Sequence, residues 1–380
     1  MTFIPYGRQC VDEADIEAVT EVLRSDFLTQ GPAVPKFERA LALYSCSAHA
    51  VAVCNATAAL HLACLALGVG PGDRVWTSPI SFTASANCAR YCGAEVDFVD
   101  VDPTTYNMSM EALAAKLESA EVDGLLPKVV IPVHLCGQPC DMAVIAELAA
   151  RYGFRVIEDA SHAVGAKYRD ERVGSCRYSD ITVFSFHPVK LITSGEGGMA
   201  LTNDPAIARR MELLRSHGIT RNPAEMTAAP DGGWYYQQIA LGYNYRMTDM
   251  QAALGLSQLS HLDEWIAKRH LIAERYNASL RAMAVKLPTI LPEAFSAYHL
   301  YVIQVENRGA VFDTLRASQI GVNVHYIPIH LQPYYRALGF KDGDFPEAEG
   351  YYARAISLPI FPKLSEADQA HVIASVAAAL

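Results

Sequence analysis

The chain has 380 residues, 51% of them apolar and 19% charged, with a net charge of -10 at pH 7. That length suggests roughly two domains with an ample core, and the acidic balance argues against a general binder of nucleic acid or membrane surfaces. No apolar run reaches the roughly 20 residues a membrane span needs and the amino terminus lacks a signal-peptide pattern, so a cytoplasmic protein is expected.

From the amino terminus, Ile16, Val19, Val22 and Leu23 share one face of a helix whose first turn is acidic. The turn signal Thr29-Gln30-Gly31-Pro32 breaks that pattern, and residues 35–43 predict a second helix. Residues 51–68 read as a short strand, a polar turn at Asn55 and Thr57, and an Ala/Leu helix closed by Gly68. A strand, turn and helix in that order aim free backbone N–H groups and a helix dipole at an anion. The same residues also suit a plain helix cap by Asn55 or Thr57.

Further strands are predicted at residues 74–78, 96–101, 129–133, 155–159 and 181–184, with helices over 81–92 and 143–152. Such alternation predicts a mostly parallel sheet covered on both faces, with ligands gathered beyond the carboxyl ends of its strands. Asn55, Thr57, Phe82, Asp159 and Lys190 all fall at or just past those ends. After a helix over 205–217 and a polar loop over 221–234, Met247-Thr248-Asp249 caps a long helix expected to run to about residue 283. Strands near 300–305 and 322–326 and helices near 311–319 and 365–379 predict a smaller α+β domain. The expected division is a large domain over 1–250, with an amino-terminal arm at 1–12, and a small one over 251–380.

Nine cysteines, Cys10, Cys46, Cys54, Cys64, Cys88, Cys92, Cys136, Cys140 and Cys176, are odd in number and show no framework spacing, which predicts reduced thiols. His134, Cys136 and Cys140 are metal-ligand types, but no second pair completes a zinc spacing and no metal is expected.

The stretch 184–198 carries the chemistry. Lys190 follows a buried strand pattern and precedes the Gly-rich turn Gly195-Glu196-Gly197-Gly198. Desolvation lowers the pKa of a lysine amine, which is what makes it a Schiff-base nucleophile near neutral pH. Pyridoxal 5′-phosphate (PLP) needs such an amine, a carboxylate to keep its pyridine nitrogen protonated, a phosphate cradle and a flat partner for its ring. Lys190 supplies the amine and Asp159 the carboxylate. The Thr57 and Ala58 N–H groups with Ser185, and Ser78 as a further candidate, make the cradle. Phe82 is the stacking ring, and His162 is placed to hydrogen-bond the ring oxygen. Each residue alone also has a plain structural reading, as a cap, a turn or core packing, but together they fit PLP.

At these residues the sequence resembles the sugar aminotransferases of the DegT/DnrJ/EryC1/StrS group. The resemblance covers nearly the whole chain. Its most specific pieces are Ser25-Asp26-Phe27-Leu28-Thr29-Gln30-Gly31-Pro32, Cys54-Asn55-Ala56-Thr57-Ala58-Ala59-Leu60-His61, Glu158-Asp159-Ala160-Ser161-His162, the 184–198 stretch, Gly242-Tyr243-Asn244-Tyr245-Arg246 and Val324-His325-Tyr326-Ile327-Pro328-Ile329-His330. It implies an α/β protein of PLP-dependent fold type I, the aspartate aminotransferase-like fold. It implies a homodimer with shared active sites, in which Asn244 reaches the partner's cofactor phosphate while Tyr6, Arg246, His325 and Tyr326 line a nucleotide-sugar cleft. Within the group the pattern is similar to the enzymes of pseudaminic acid biosynthesis. That implies transfer of an amino group from L-glutamate, leaving 2-oxoglutarate, to C4 of a UDP-4-keto-6-deoxy-N-acetylhexosamine, with the cofactor held as an aldimine on Lys190. Two rival readings share the fold: a nucleotide-sugar dehydratase, whose relatives typically replace the aldimine lysine, and a non-catalytic regulatory protein, against which the acidic balance and the lack of a helix-turn-helix pattern weigh.

Overall fold

Runs such as Val129-Val130-Ile131 and Ile181-Thr182-Val183-Phe184-Ser185 are buried at every position, as β-branched strands are when both faces of a sheet are covered. In the computed structural model, which describes residues 3–380, they form the middle of a seven-stranded sheet. The first two residues of the expected amino-terminal arm lie outside that range. Strand order is His49–Val53, Gly198–Thr202, Ile181–Ser185, Arg155–Asp159, Val129–Ile131, Arg74–Thr77, Glu95–Phe98. Gly198–Thr202 runs antiparallel to both neighbours, and the other pairings are parallel. Alternation along the strands divides the core: Val51, Val53, Val183 and Ala200 join one apolar cluster, and Ala52, Phe184, Met199 and Leu201 join the other.

Local chemistry sets the helix ends. Asp12 and Asp15 form a reciprocal capping box that opens the Glu13–Arg24 helix, and Thr248 with Gln251 does the same for Asp249–Leu259. The long helix expected over 249–283 is two helices, Asp249–Leu259 and Leu262–Leu280. Between them the Ser260 N–H and hydroxyl both bond the Ser257 carbonyl, at 3.1 and 2.7 Å, which closes the first helix. The second helix then links two cores: Leu262, Trp265 and Ile266 pack beside Phe184, while Ile272, Ala273, Tyr276 and Leu280 pack in the carboxyl-terminal part.

That part pairs Tyr301–Gln304 with Ala355–Leu358 and covers the pair with the Arg308–Ala317 and Glu366–Ala379 helices. The arm belongs to it, since Ile4–Pro5 pairs in parallel with Ile320–Gly321 and Ile4 enters its core. In place of the strand expected at 322–326, the strand here is Ile320–Gly321. Asn323 keeps one bridge to Ser357, and the segment then turns to line a cleft with Asn323, Val324, His325 and Tyr326. The Met110–Asp123 helix, with Leu113, Leu117 and Ala120 buried, was not predicted. Among the described residues the nine cysteines are free, no group of metal-ligating side chains is assembled, and no helix is long and apolar enough to cross a membrane.

Candidate active site

A cleft of about 610 Å³ opens beyond the carboxyl ends of the parallel strands, where Asn55, Thr57, Phe82, Asp159, Ser185 and Lys190 meet. Ser185 is the last residue of its strand and is buried. The loop after it is pinned shut at Phe186: the Phe186 N–H donates to Gly197 O at 2.9 Å, and the Phe186 carbonyl accepts from Ser194 N–H and the Thr193 hydroxyl, both at 3.0 Å. Lys190 sits in this closed loop, its N–H bonded to His187 O at 2.9 Å, and its side chain is half-buried in the cleft wall. Burial lowers the amine to about 8, against the opposing pull of Asp159. The lowering raises the share of Lys190 present as the unprotonated nucleophile near neutrality.

Asp159, 5% exposed, ends the neighbouring strand. Its Oδ2 accepts from the Ser85 hydroxyl at 2.6 Å, and its Oδ1 accepts from the Ser161 N–H at 3.1 Å and hydroxyl at 2.6 Å. Those bonds fix the orientation of both carboxylate oxygens. Glu158, one residue earlier, points to the opposite face and pairs with His134 at 2.7 Å, which gives His134 a structural partner.

The Asn55 side chain caps the Ala56–Ala66 helix by accepting from Ala58 N–H at 2.9 Å. The Ala58 donor expected in a phosphate cradle is thus already engaged. Ala56 and Thr57, whose N–H groups form no hydrogen bond among the described residues, line the cleft instead. Gly198 lets the sheet pass under this turn, since a Cβ there would stand 2.5 Å from Asn55 C and 2.6 Å from Ala56 N. Ser78 is buried outside the cleft lining, its Oγ accepting from Ile80 N–H at 3.3 Å.

Phe82 stands at the cleft rim, 61% exposed, with its ring 6.3 Å from that of Tyr326. Tyr6 packs 5.1 Å from the His325 ring. His162 lines the cleft, and its Nε2 lies 3.0 Å from Tyr326 Oη. Asn244 and Arg246 do not line the cleft of their own chain. Asn244 is exposed and bridged to Ser216, and in the same segment Trp234 and Leu241 are 74% and 81% exposed. Ser85, Ser161, His299 and Asn323 join the site without having been predicted. Ser161 could have been found as the turn partner of Asp159, whereas Ser85 and His299 reach the site only through tertiary packing.

A lysine amine in the loop after one strand and a doubly anchored carboxylate at the end of the neighbouring strand, beside an open helix N-terminus, define a PLP site of the aminotransferase type. The chain belongs to the DegT/DnrJ/EryC1/StrS aminotransferase family, whose model matches residues 9–377. It is 40% identical over 383 residues to the Bacillus subtilis spore coat polysaccharide biosynthesis protein SpsC, covering 98% of this chain and 96% of that one. Spr1654 from Streptococcus pneumoniae, assigned as a sugar aminotransferase and solved in its PLP form, superposes with a TM-score of 0.90 at 30% identity over 99% of this chain and 98% of that one. Helicobacter pylori PseC, an aminotransferase of pseudaminic acid biosynthesis, superposes with a TM-score of 0.90 at 29% identity, covering 100% and 99% of the two chains. The protein is accordingly a PLP-dependent transaminase with the fold of the sugar aminotransferases.

Proposed function

We propose that this transaminase moves an amino group from L-glutamate to C4 of a UDP-4-keto-6-deoxy-N-acetylhexosamine, as a step of pseudaminic acid biosynthesis. The observation that carries the reading is the convergence of Lys190, Asp159 and the Asn55–Thr57 turn on one cleft large enough for a cofactor and a sugar. The choice of sugar is supported by the full-length likeness to PseC.

PLP, when bound, supplies the aldehyde that carries the amino group and the ring that stores charge as a Cα–H bond ionises. Lys190 would hold the cofactor through its amine, and that amine is the group placed to carry the proton that leaves the donor carbon. Asp159, oriented by Ser85 and Ser161, keeps the pyridine nitrogen protonated. The Ala56 and Thr57 N–H groups and the Ser185 hydroxyl receive the phosphate, Phe82 covers the ring, and Tyr6, His325 and Tyr326 meet the sugar. A second copy completes each site, with Asn244 and Arg246 reaching across from the surface that bares Trp234 and Leu241.

The test is incubation of the purified protein with L-glutamate and a panel of UDP- and dTDP-linked 4-keto sugars, with products identified by NMR. Amination at C4 of the UDP-linked N-acetylhexosamine supports the assignment. Turnover confined to dTDP-linked sugars, or to another amino donor, contradicts it.

A further inference from the structure

His162 is held in a single tautomer. The backbone N–H of Cys136 donates to its Nδ1 at 3.3 Å, and its Nε2 stands 3.0 Å from Tyr326 Oη. A backbone N–H can only donate, so Nδ1 carries no proton. Burial, together with Lys190 and His325, holds the His162 pKa well below the usual imidazole value, so the ring is neutral. Its one N–H proton is therefore on Nε2 and points at Tyr326 Oη, which becomes the acceptor. The His299 ring packs 4.4 Å away, centroid to centroid, against His162, and burial likewise keeps it neutral.

The consequence falls on Tyr326. Its oxygen has no other hydrogen-bond partner among the described residues, and burial raises its phenol above the ordinary range, so the hydroxyl keeps its proton. With the His162 proton occupying one lone pair, the Tyr326 O–H is left unpaired in a side chain that lines the cleft with Lys190 and Asp159. A hydroxyl donor in the cleft wall with no protein acceptor is free to bond a ligand oxygen that enters the cleft.

We propose that Tyr326 is a directed hydroxyl donor to an acceptor oxygen of the ligand held at Lys190, and that His162 is the positioning residue that turns its proton into the cleft. This rests on the PLP transaminase reading above, and it moves to Tyr326 the ring-oxygen contact that the sequence had suggested for His162. The acceptor is either the cofactor's ring oxygen or an oxygen of the sugar, and the two are separable by experiment.

The variants Tyr326→Phe, His162→Ala, His162→Gln and the Tyr326→Phe/His162→Ala double are loaded with PLP. Each is measured for the pH titration of its visible absorbance without substrate, and for KM and kcat with the keto sugar. If the acceptor is the cofactor oxygen, Tyr326→Phe raises the titration midpoint by about one pH unit, the loss of roughly one hydrogen bond to a charged oxygen. If it is a sugar oxygen, the titration is unmoved and kcat/KM for the sugar falls about tenfold. In either case His162→Ala reproduces the change and the double variant adds nothing further. His162→Gln restores it, because an amide oxygen can accept from Cys136 while the amide N–H donates to Tyr326. The proposal is overturned if Tyr326→Phe moves neither reading, or if the two single changes add. A wild-type protein that takes up no PLP would instead overturn the functional reading itself.

Discussion

Lys190 is the residue on which the chemistry turns, and its environment makes a quantitative demand. Its amine is lowered to about 8 because the cleft desolvates it, with Asp159 opposing. Only the neutral amine attacks an aldehyde, so covalent uptake of PLP by the apoprotein should accelerate about tenfold per pH unit below that value and level off above it. A rate flat from acid to alkaline pH would contradict the assignment, and Lys190→Ala should show neither uptake nor turnover. Ser85 tests the carboxylate. Its hydroxyl is 2.6 Å from Asp159 Oδ2, and deleting a bond to a buried charge costs about 1.5–3 kcal/mol. Ser85→Ala should therefore lower kcat roughly tenfold or more while KM for L-glutamate changes little. An unchanged kcat would remove Ser85 from the site. Lys190 and Asp159 could be recognised from sequence because Asp159 ends a strongly patterned strand and Lys190 lies in the loop that follows another. Ser85 could not, because its Asp159 bond spans 74 positions and depends on how the Ala84–Tyr91 helix docks.

At the scale of elements, the crossing of the 198–202 strand under the Asn55 turn is what places cradle and lysine loop on one rim. Gly198 pairs with Val53 on one side and Ser185 on the other, so both segments depend on it. A Cβ at this position would press on backbone atoms 2.5–2.7 Å away, which cannot yield as a flexible side chain would. Gly198→Ala should cost about 1–3 kcal/mol in urea unfolding and weaken PLP binding, whereas Gly70→Ala, with nothing within 4 Å, should leave binding unchanged. Equal effects from the two substitutions would sink this account of the crossing. The central strands and the helices between them were legible because period and β-branching agree there. The break at Ser260 was not, since the apolar pattern runs through it and only the docking of Leu262–Leu280 across two cores requires it. The 322–326 segment reads as a strand by composition, but Asn323, Val324, His325 and Tyr326 line the cleft instead.

For the whole molecule, the proposed second copy sharing the sites has a direct test at the exposed Asn244. If Asn244 serves the neighbouring copy, mixing inactive Lys190→Ala with impaired Asn244→Ala protein should regain about one quarter of wild-type activity, since half of randomly mixed dimers would carry one intact site. No gain on mixing would confine each site to a single chain. The central claim, that the chain carries an amino group from L-glutamate to a nucleotide 4-keto sugar, is tested most directly by following the colour of the PLP-loaded protein through one cycle. L-glutamate alone should bleach the yellow absorbance with release of one equivalent of 2-oxoglutarate per site, and the UDP-linked 4-keto-6-deoxy-N-acetylhexosamine should then restore it. A protein that keeps its colour in L-glutamate, or that bleaches and is not restored by the keto sugar, would contradict the account.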